Sequence, residues 1–274
     1  MGRIFTWEEV KDKKIPTLRD FSFVVKLIKQ ELSHCKGVLS AVLCGSVLWD
    51  SFTPRSDIDL VVVYDGKEKN KIINVLQRIV CQALCLYVPV EIIPIDYCIL
   101  NSTFQPLDPS FILHLQLSLK KGGLIVGESL LFSLSPNKAA FEEDLYYYIR
   151  RKIHKLEKGI TCFLVVEPYE FCRFIQKAAE TPFHLVRKIL CYQEIEMLQG
   201  GSKESVISLF SDFATQKEKE LINRIFEIDK AYTRKLEQHL LVPRKVEYFK
   251  VIEELKTLPF IALEFFKIVS QRFF

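Results

Sequence analysis

Long apolar runs are missing from this 274-residue sequence, although 49% of its residues are hydrophobic. No window has about 18 uninterrupted apolar residues, the length that a membrane-spanning helix needs, so we expect no part of the chain to cross a membrane. The N-terminal stretch MGRIFTWEEVKDKK lacks the apolar core of a signal peptide. These absences together predict a cytoplasmic protein.

Cysteine motifs and a strong charge of one sign are absent as well. The eight Cys are dilute and form no Cys-x-x-Cys pair, which argues against a disulfide framework and against a zinc site. Lys and Arg outnumber Asp and Glu by 38 to 34, for a formal net charge of +4. That balance differs from the basic excess of a protein that coats nucleic acid nonspecifically.

The first half of the sequence alternates between helical and strand patterns. Apolar residues at a spacing of three and four predict helices, and runs rich in Val and Ile predict strands. The predicted elements are helix 18–35, strand 38–46, strand 57–64, helix 69–86, strand 88–95, helix 109–120 and strand 124–126. The prolines of the third strand favour a position at the edge of a sheet.

The second half shows helical periodicity almost throughout. The predicted helices are 138–158, 167–179, 182–199, 203–213, 215–240 and 244–256, followed by a helical tail. Their breaks fall at Gly159, Thr181-Pro182, Gly200-Gly201 and Pro243, which are residue types that start or stop helices. We therefore predict an α+β protein with an α/β domain over 1–134 and an α-helical domain over 135–274.

The segment 41–64, AVLCGSVLWDSFTPRSDIDLVVVY, carries the residues with the clearest chemistry. Alternate side chains of a strand point to opposite faces, so Asp57 and Asp59 share one face. Two neighbouring carboxylates repel each other unless a cation lies between them, and hard divalent ions bind oxygen ligands. Gly45-Ser46 ends the preceding strand, where the glycine lets backbone N–H groups approach a phosphate. This combination is typical of a phosphoryl or nucleotidyl transfer centre.

These motifs resemble the polymerase-β-like nucleotidyltransferase superfamily, and in particular its small antibiotic-modifying members. The resemblance covers about residues 20–130 and depends on Gly45-Ser46 followed by Ser56-Asp57-Ile58-Asp59-Leu60. It implies an N-terminal mixed sheet with flanking helices, followed by a helical-bundle domain. Many members have Arg-Gly after the Gly-Ser helix, where this chain has Trp49-Asp50.

The family also has a third carboxylate on a following strand. Val90-Glu91-Ile92 fits that pattern, and Asp96 is the alternative; we favour Glu91 because Asp96 follows Pro94 at the strand's exit. The resemblance implies an NTP as donor substrate and two Mg²⁺ ions that assist attack on the α-phosphorus and loss of pyrophosphate. The implied site residues are Asp57, Asp59 and Glu91 as catalytic metal ligands, with Gly45, Ser46 and Ser56 as nucleotide-binding residues.

The helical half offers one basic face. Arg151, His154, Lys155 and Lys158 recur at helical spacing, and they form either a solvated surface or a clamp for the triphosphate or the acceptor. Lys155 is the predicted nucleotide-binding residue of this face.

The sequence therefore predicts a Mg²⁺-dependent enzyme that moves an NMP from an NTP to a hydroxyl group. The expected acceptor is a small, antibiotic-like molecule, with a tRNA end or a protein hydroxyl as other acceptors. The alternative is a toxin–antitoxin or regulatory interaction module built on the same scaffold. Arg234-x4-His239 resembles the short motif of HEPN ribonucleases, which often accompany small nucleotidyltransferases.

Overall fold

The computed structural model describes residues 2–100, 107–134, 138–162, 167–193, 202–238 and 245–274. The chain forms two compact units, one of residues 16–137 and the other of residues 1–15 together with 138–274. Within the described ranges, none of the helices combines the length and the apolar character that crossing a bilayer requires.

The elements follow the predicted order closely. In chain order the helices are α1 (Trp7–Lys11), α2 (Leu18–Ser33), α3 (Gly45–Leu48), α4 (Lys69–Cys85), α5 (Tyr97–Leu100), α6 (Pro109–Lys120), α7 (Lys138–Cys162), α8 (Pro168–Tyr192), α9 (Lys203–Ser211), α10 (Gln216–Glu237), α11 (Lys245–Leu255) and α12 (Leu258–Phe273). The strands are β1 (Val38–Cys44), β2 (Ile58–Tyr64), β3 (Val90–Asp96) and β4 (Leu124–Gly127). Short 3₁₀ turns lie at Gly66–Glu68 and Leu130–Ser133. The predicted α+β class is confirmed.

The four strands form one mixed sheet in the order β3-β2-β1-β4. Strand β1 is antiparallel to both β2 and β4, whereas β2 and β3 are parallel. The end of β1 and the starts of β2 and β3 therefore lie at the same end of the sheet. The strand that contains Pro94 is at the edge, as its prolines predicted, because an edge strand needs fewer backbone donors.

The alternation along β2 divides its side chains between two hydrophobic cores. Ile58, Leu60 and Val62 enter a core that also contains the apolar stripes of α2 and α4. Val61 and Val63 point the other way, into a core that includes Ile112 and Leu115 of α6. Because both faces are covered, β2 is apolar along nearly its whole length.

The second unit is helical, and its core joins α7 to α12 with the N-terminal segment. The backbone N–H of Phe5, which is fully buried, donates to Tyr232 Oη at 3.1 Å, and Tyr248 Oη donates to the Phe5 carbonyl at 2.9 Å. This differs from the predicted domain 1–134, because residues 1–15 belong to the helical unit. Segment 1–15 is held in the helical unit by one buried Phe and two long-range hydrogen bonds. It has no periodic pattern from which its unit could be predicted.

Two predicted helix breaks are wrong. Helix α8 runs without a break through Pro182, which lies buried inside it. The missing N–H of Pro182 leaves one carbonyl without its helical donor, but the residues on both sides are buried and their packing outweighs that loss. Helix α7 likewise continues past Gly159, where an added Cβ would lie 2.1 Å from the Phe174 ring. Gly159 thus gives α8 room instead of ending α7.

Candidate active site

Three carboxylates meet at one end of the sheet. Asp57 directly precedes β2, and the parallel register pairs Asp59 with Glu91 on β3. One carboxylate oxygen from each of the three lies within 4.8 Å of the others. Asp57 and Asp59 are half-buried, whereas Glu91 is exposed. The structure therefore brings together the three acids that the sequence predicted.

The position of the acid pair follows from the alternation of β2. Asp57 and Asp59 belong to the odd-numbered series whose later members, Val61 and Val63, are buried in the core beside α6. The series thus changes from acidic at the start of the strand to apolar along its interior. This arrangement holds the two Asp backbones on a rigid strand while their side chains stay within reach of solvent.

Gly45 lies against the acid pair. It directly follows Cys44, whose Cα pairs with that of Asp59 across the antiparallel strands. The backbone of Gly45 has φ of +70°, and a Cβ at this position would lie 2.1 Å from Asp59 Oδ2. Only a residue without a side chain allows the Asp59 carboxylate to occupy this place.

The two predicted serines have different surroundings. Ser46 is half-buried in α3, and its carbonyl accepts a hydrogen bond from the Ser51 N–H at 3.0 Å. Ser56 is buried, and its hydroxyl accepts from the Thr53 N–H at 2.9 Å. Ser56 thereby fixes the turn that leads into Asp57. The nucleotide-binding roles of Gly45, Ser46 and Ser56 stay predictions.

Asp96, the alternative third acid, lies at the opposite end of β3. The register pairs it with Tyr64, five residues along from the Asp59–Glu91 pair. At about 3.3 Å per residue, that separation is about 17 Å. The Asp96 carboxylate accepts a hydrogen bond from the Cys98 N–H at 3.0 Å. Asp96 is thus separated from the acid cluster by almost the full length of the strand.

Trp49 and Asp50 adopt the turn for which many family members use Arg-Gly. Asp50 has φ of +53°, in the left-handed region that glycine adopts without strain. Asp tolerates this region better than most residues do, so this turn forms without a glycine. The Trp49 ring lies 5.5 Å from Lys121 Nζ, within the range of a cation–π contact.

The thiol of Cys44 lies beneath the acid cluster and stays neutral. Burial raises the pKa of Cys44 to about 12, a hydrogen bond with Ser118 opposes that rise, and the Asp59 carboxylate adds to it. Cys44 is 1% exposed. This buried thiol therefore serves as packing and is not a nucleophile.

The predicted basic face lies on α7 in the helical unit. Arg151, His154, Lys155 and Lys158 are all exposed. Their neighbour Lys152 was not singled out by the sequence, yet its pKa is lowered to about 8 by burial first and then by Arg151, Lys155 and Lys177. Several cations therefore crowd one part of α7. In the second predicted motif, Arg234 lies on α10, whereas His239 lies outside the described residues.

An acid–hydrophobic–acid pattern at the start of β2, a third acid on the parallel strand β3 and a Gly-Ser pair directly after β1 are the features typical of a nucleotidyltransferase domain. Residues 25–112, about a third of the chain, match the family model of the nucleotidyltransferase domain. The chain therefore contains a nucleotidyltransferase domain over these residues.

No curated protein sequence matches the chain. Among solved structures, the chain is similar to the spectinomycin adenyltransferase AAD(9) from Enterococcus faecialis, crystallised with ATP and spectinomycin. The two share 14% sequence identity over 90% of this chain and 99% of that chain, with a TM-score of 0.46.

Proposed function

We propose that this chain transfers an NMP from an NTP to a hydroxyl group of a small molecule, with Mg²⁺ bound by Asp57, Asp59 and Glu91. The observation that carries the proposal is the convergence of three carboxylate oxygens within 4.8 Å beside Gly45. This arrangement fits a hard divalent cation, which prefers oxygen ligands.

Charge accounting supports a cation at this position. Two carboxylates within 4.8 Å repel each other by about 3 kcal/mol or more at an effective dielectric constant of about 20. Three such acids are unfavourable unless positive charge compensates them. A divalent ion held by Asp57, Asp59 and Glu91 would supply that charge and the Lewis acidity that nucleotidyl transfer needs.

The residues of the chain have separate tasks in this mechanism. Asp57 and Asp59 would hold the metal ion at the triphosphate end of the site, because they lie at the start of β2 beside Gly45 and Ser46. Glu91 is more exposed and lies at the sheet edge, where an acceptor hydroxyl has access to it. We assign Glu91 to orient that hydroxyl and to accept its proton as it attacks the α-phosphorus.

Lys155 of α7 stays the proposed nucleotide-binding residue of the helical unit. Lys155 is exposed, and its ammonium group can donate hydrogen bonds to a phosphate. The net charge of +4 over 274 residues supports a small acceptor more than a long nucleic acid. The complete acid triad supports an enzyme more than an interaction module on a degenerate scaffold.

Two single substitutions test the proposal. The protein is incubated with Mg²⁺, each α-labelled NTP and a panel of aminoglycosides, spectinomycin, lincosamides and tRNA, and the labelled products are separated. Asp57→Asn and Asp59→Asn should each reduce transfer more than about 100-fold, while the protein keeps its fold. Both variants retaining more than about a hundredth of the wild-type activity would contradict the metal-site assignment.

The matched control removes a carboxylate from the other face of the sheet. Glu31 lies on α2, which packs against the opposite core, and it forms an ion pair with Arg78. Glu31→Gln should leave transfer unchanged, since surface ion pairs contribute little and lie far from the acids. A loss of transfer in this control would show that charge removal alone disturbs the assay.

A further inference from the structure

Arg55 is the one fully charged side chain that lies buried in the described part of residues 16–134. It is 2% exposed, and the other buried polar residues of that unit are serines. A guanidinium keeps its charge at every physiological pH and carries five N–H donors. Burial of such a group is unfavourable unless an anion and hydrogen-bond acceptors compensate it. We therefore expect a carboxylate close to the Arg55 guanidinium.

Arg55 lies in a hydrogen-bonded turn that ends directly before Asp57 in the chain. The Ser56 N–H donates to the Thr53 carbonyl at 2.9 Å, and the Thr53 N–H donates to Ser56 Oγ at 2.9 Å. The Arg55 N–H donates to Thr53 Oγ1 at 3.3 Å. These three bonds form a fixed turn of four residues, and Asp57 follows it at once.

The acid pair supplies the required anions. Asp57 and Asp59 are two and four residues after Arg55, both are half-buried, and each of the three residues has an interaction partner in the structure. Among the described residues of this unit, these two carboxylates and Glu91 form the cluster of acids with room for a cation. Glu91 is exposed and lies on the edge strand β3, so it is the least suited to pair with a buried guanidinium.

We propose that Arg55 is a positioning residue whose guanidinium is the resident counter-ion of the Asp57–Asp59 pair. It compensates the repulsion of the two carboxylates before a metal binds and thereby holds them in place at the start of β2. A divalent ion held by Asp57 and Asp59 would compete with Arg55 for these carboxylates, so we expect Arg55 to weaken metal binding. This inference is based on the proposed metal site, and its first test uses no metal.

The first test compares the effect of Arg55→Met on the melting temperature in two backgrounds, where we expect opposite signs. Arg55→Met keeps the bulk of the side chain and removes its charge. In the otherwise wild-type, metal-free protein it should lower the melting temperature by about 5 °C or more, because two half-buried acids lose their counter-ion. In the Asp57→Asn/Asp59→Asn protein the same change should raise the melting temperature, because there Arg55 is a buried charge without a carboxylate.

A control and a second background keep this test decisive. Arg78→Met removes the guanidinium that pairs with Glu31 in an exposed position of the same unit, and it should change the melting temperature little in both backgrounds. If Arg55→Met does not fold alone, the triple variant with Asp57→Asn and Asp59→Asn must still fold and exceed the double variant in stability. Equal losses in both backgrounds, or a triple variant that does not fold, would overturn the proposal.

The second test measures metal binding directly. Free Mn²⁺ is followed by electron paramagnetic resonance as it is titrated with wild type and Arg55→Met. Removal of a resident cation should tighten Mn²⁺ binding about 3- to 10-fold, whereas a merely structural role of Arg55 predicts unchanged or weaker binding, which would refute the counter-ion. If neither protein binds Mn²⁺ but the stability reversal is observed, the pairing of Arg55 is correct and the proposed metal-dependent function fails.

Discussion

Replacement of Gly45 by Ala tests whether the close approach of Gly45 and Asp59 organises the active site. Gly45 has φ of +70°, so an alanine there is strained by about 1–2 kcal/mol. Part of this loss is offset because Ala has less conformational freedom than Gly in the unfolded chain. We expect a net loss in the free energy of unfolding of about 1 kcal/mol from the backbone alone.

The clash of the new methyl group acts on Asp59. Its Cβ would lie 2.1 Å from Asp59 Oδ2, whereas an ordinary contact begins at 3.4 Å. The carboxylate must therefore move by about 1 Å or more. A displacement of that size in a reacting group reduces turnover by about 100-fold, and a metal ligand displaced by about 1 Å is out of range for coordination. Gly45→Ala should thus lose nearly all transfer and weaken Mn²⁺ binding about 10-fold or more.

Gly122 offers a matched control in the same unit. It also has a positive φ, +90°, and an added Cβ there meets nothing within 4 Å. Gly122→Ala should show a similar drop in unfolding free energy, measured by urea denaturation, with normal Mn²⁺ binding and transfer. The reasoning is refuted if Gly45→Ala binds Mn²⁺ and turns over like Gly122→Ala. The contact between the new methyl group and Asp59 would then have no effect on the site.

Three further predictions concern single side chains. Glu91→Gln should retain Mg-NTP binding in calorimetry but lose turnover. The control Asp96→Asn, at the other end of β3, should stay active. An active Glu91→Gln variant and an inactive Asp96→Asn variant would transfer the role to Asp96. Lys155→Ala should weaken nucleotide binding or slow transfer by about 1–3 kcal/mol, and a change below about 0.5 kcal/mol in Lys155→Ala and Arg151→Ala alike would show a solvated face. Lys152→Met should stabilise the protein by about 1–2 kcal/mol at pH 7. Lys152 is still charged at that pH, and its lowered pKa of about 8 shows that the folded protein disfavours the charged form. Since the unfolded chain holds that proton up to the ordinary pKa of 10.5, stability in wild type rises between pH 8 and 10.5, and the advantage of Lys152→Met in urea denaturation should shrink over that window; a gain that is independent of pH would contradict the shift.

Much of the nucleotidyltransferase unit could be predicted from local patterns. The apolar stripe of α2, the Val-rich β2 and the helix α6 each satisfy one periodicity, so their existence and approximate bounds follow from the sequence. The acid pair is a local feature too, because the two-residue period of a strand places Asp57 and Asp59 on the same face. The edge position of β3 follows from its prolines.

The third acid could be ranked from the sequence but not located. Both Glu91 and Asp96 lie on β3, and the direction and register of that strand decide which one reaches the pair on β2. A strand pattern contains neither direction nor register, because both depend on the partner strand and on the crossover helix.

Other features were decided by tertiary packing alone. Pro182 and Gly159 look like helix stops in the sequence, yet both lie inside helices, because burial of the surrounding apolar residues outweighs one weakened or strained helical position. Residues 1–15 belong to the helical unit through Phe5 and its hydrogen bonds with Tyr232 and Tyr248, which are more than 200 residues away.

The sequence by itself therefore determined the elements, the α+β class and the acid pair, since each depends on residues that are near one another in the chain. The tertiary structure alone decided how β3 aligns Glu91 with Asp59, which helices continue, and that Arg55 is buried. The physical reason is the same in each case. Local periodicity and backbone preference act over a few residues, whereas burial and charge compensation depend on groups that only the folded chain brings together.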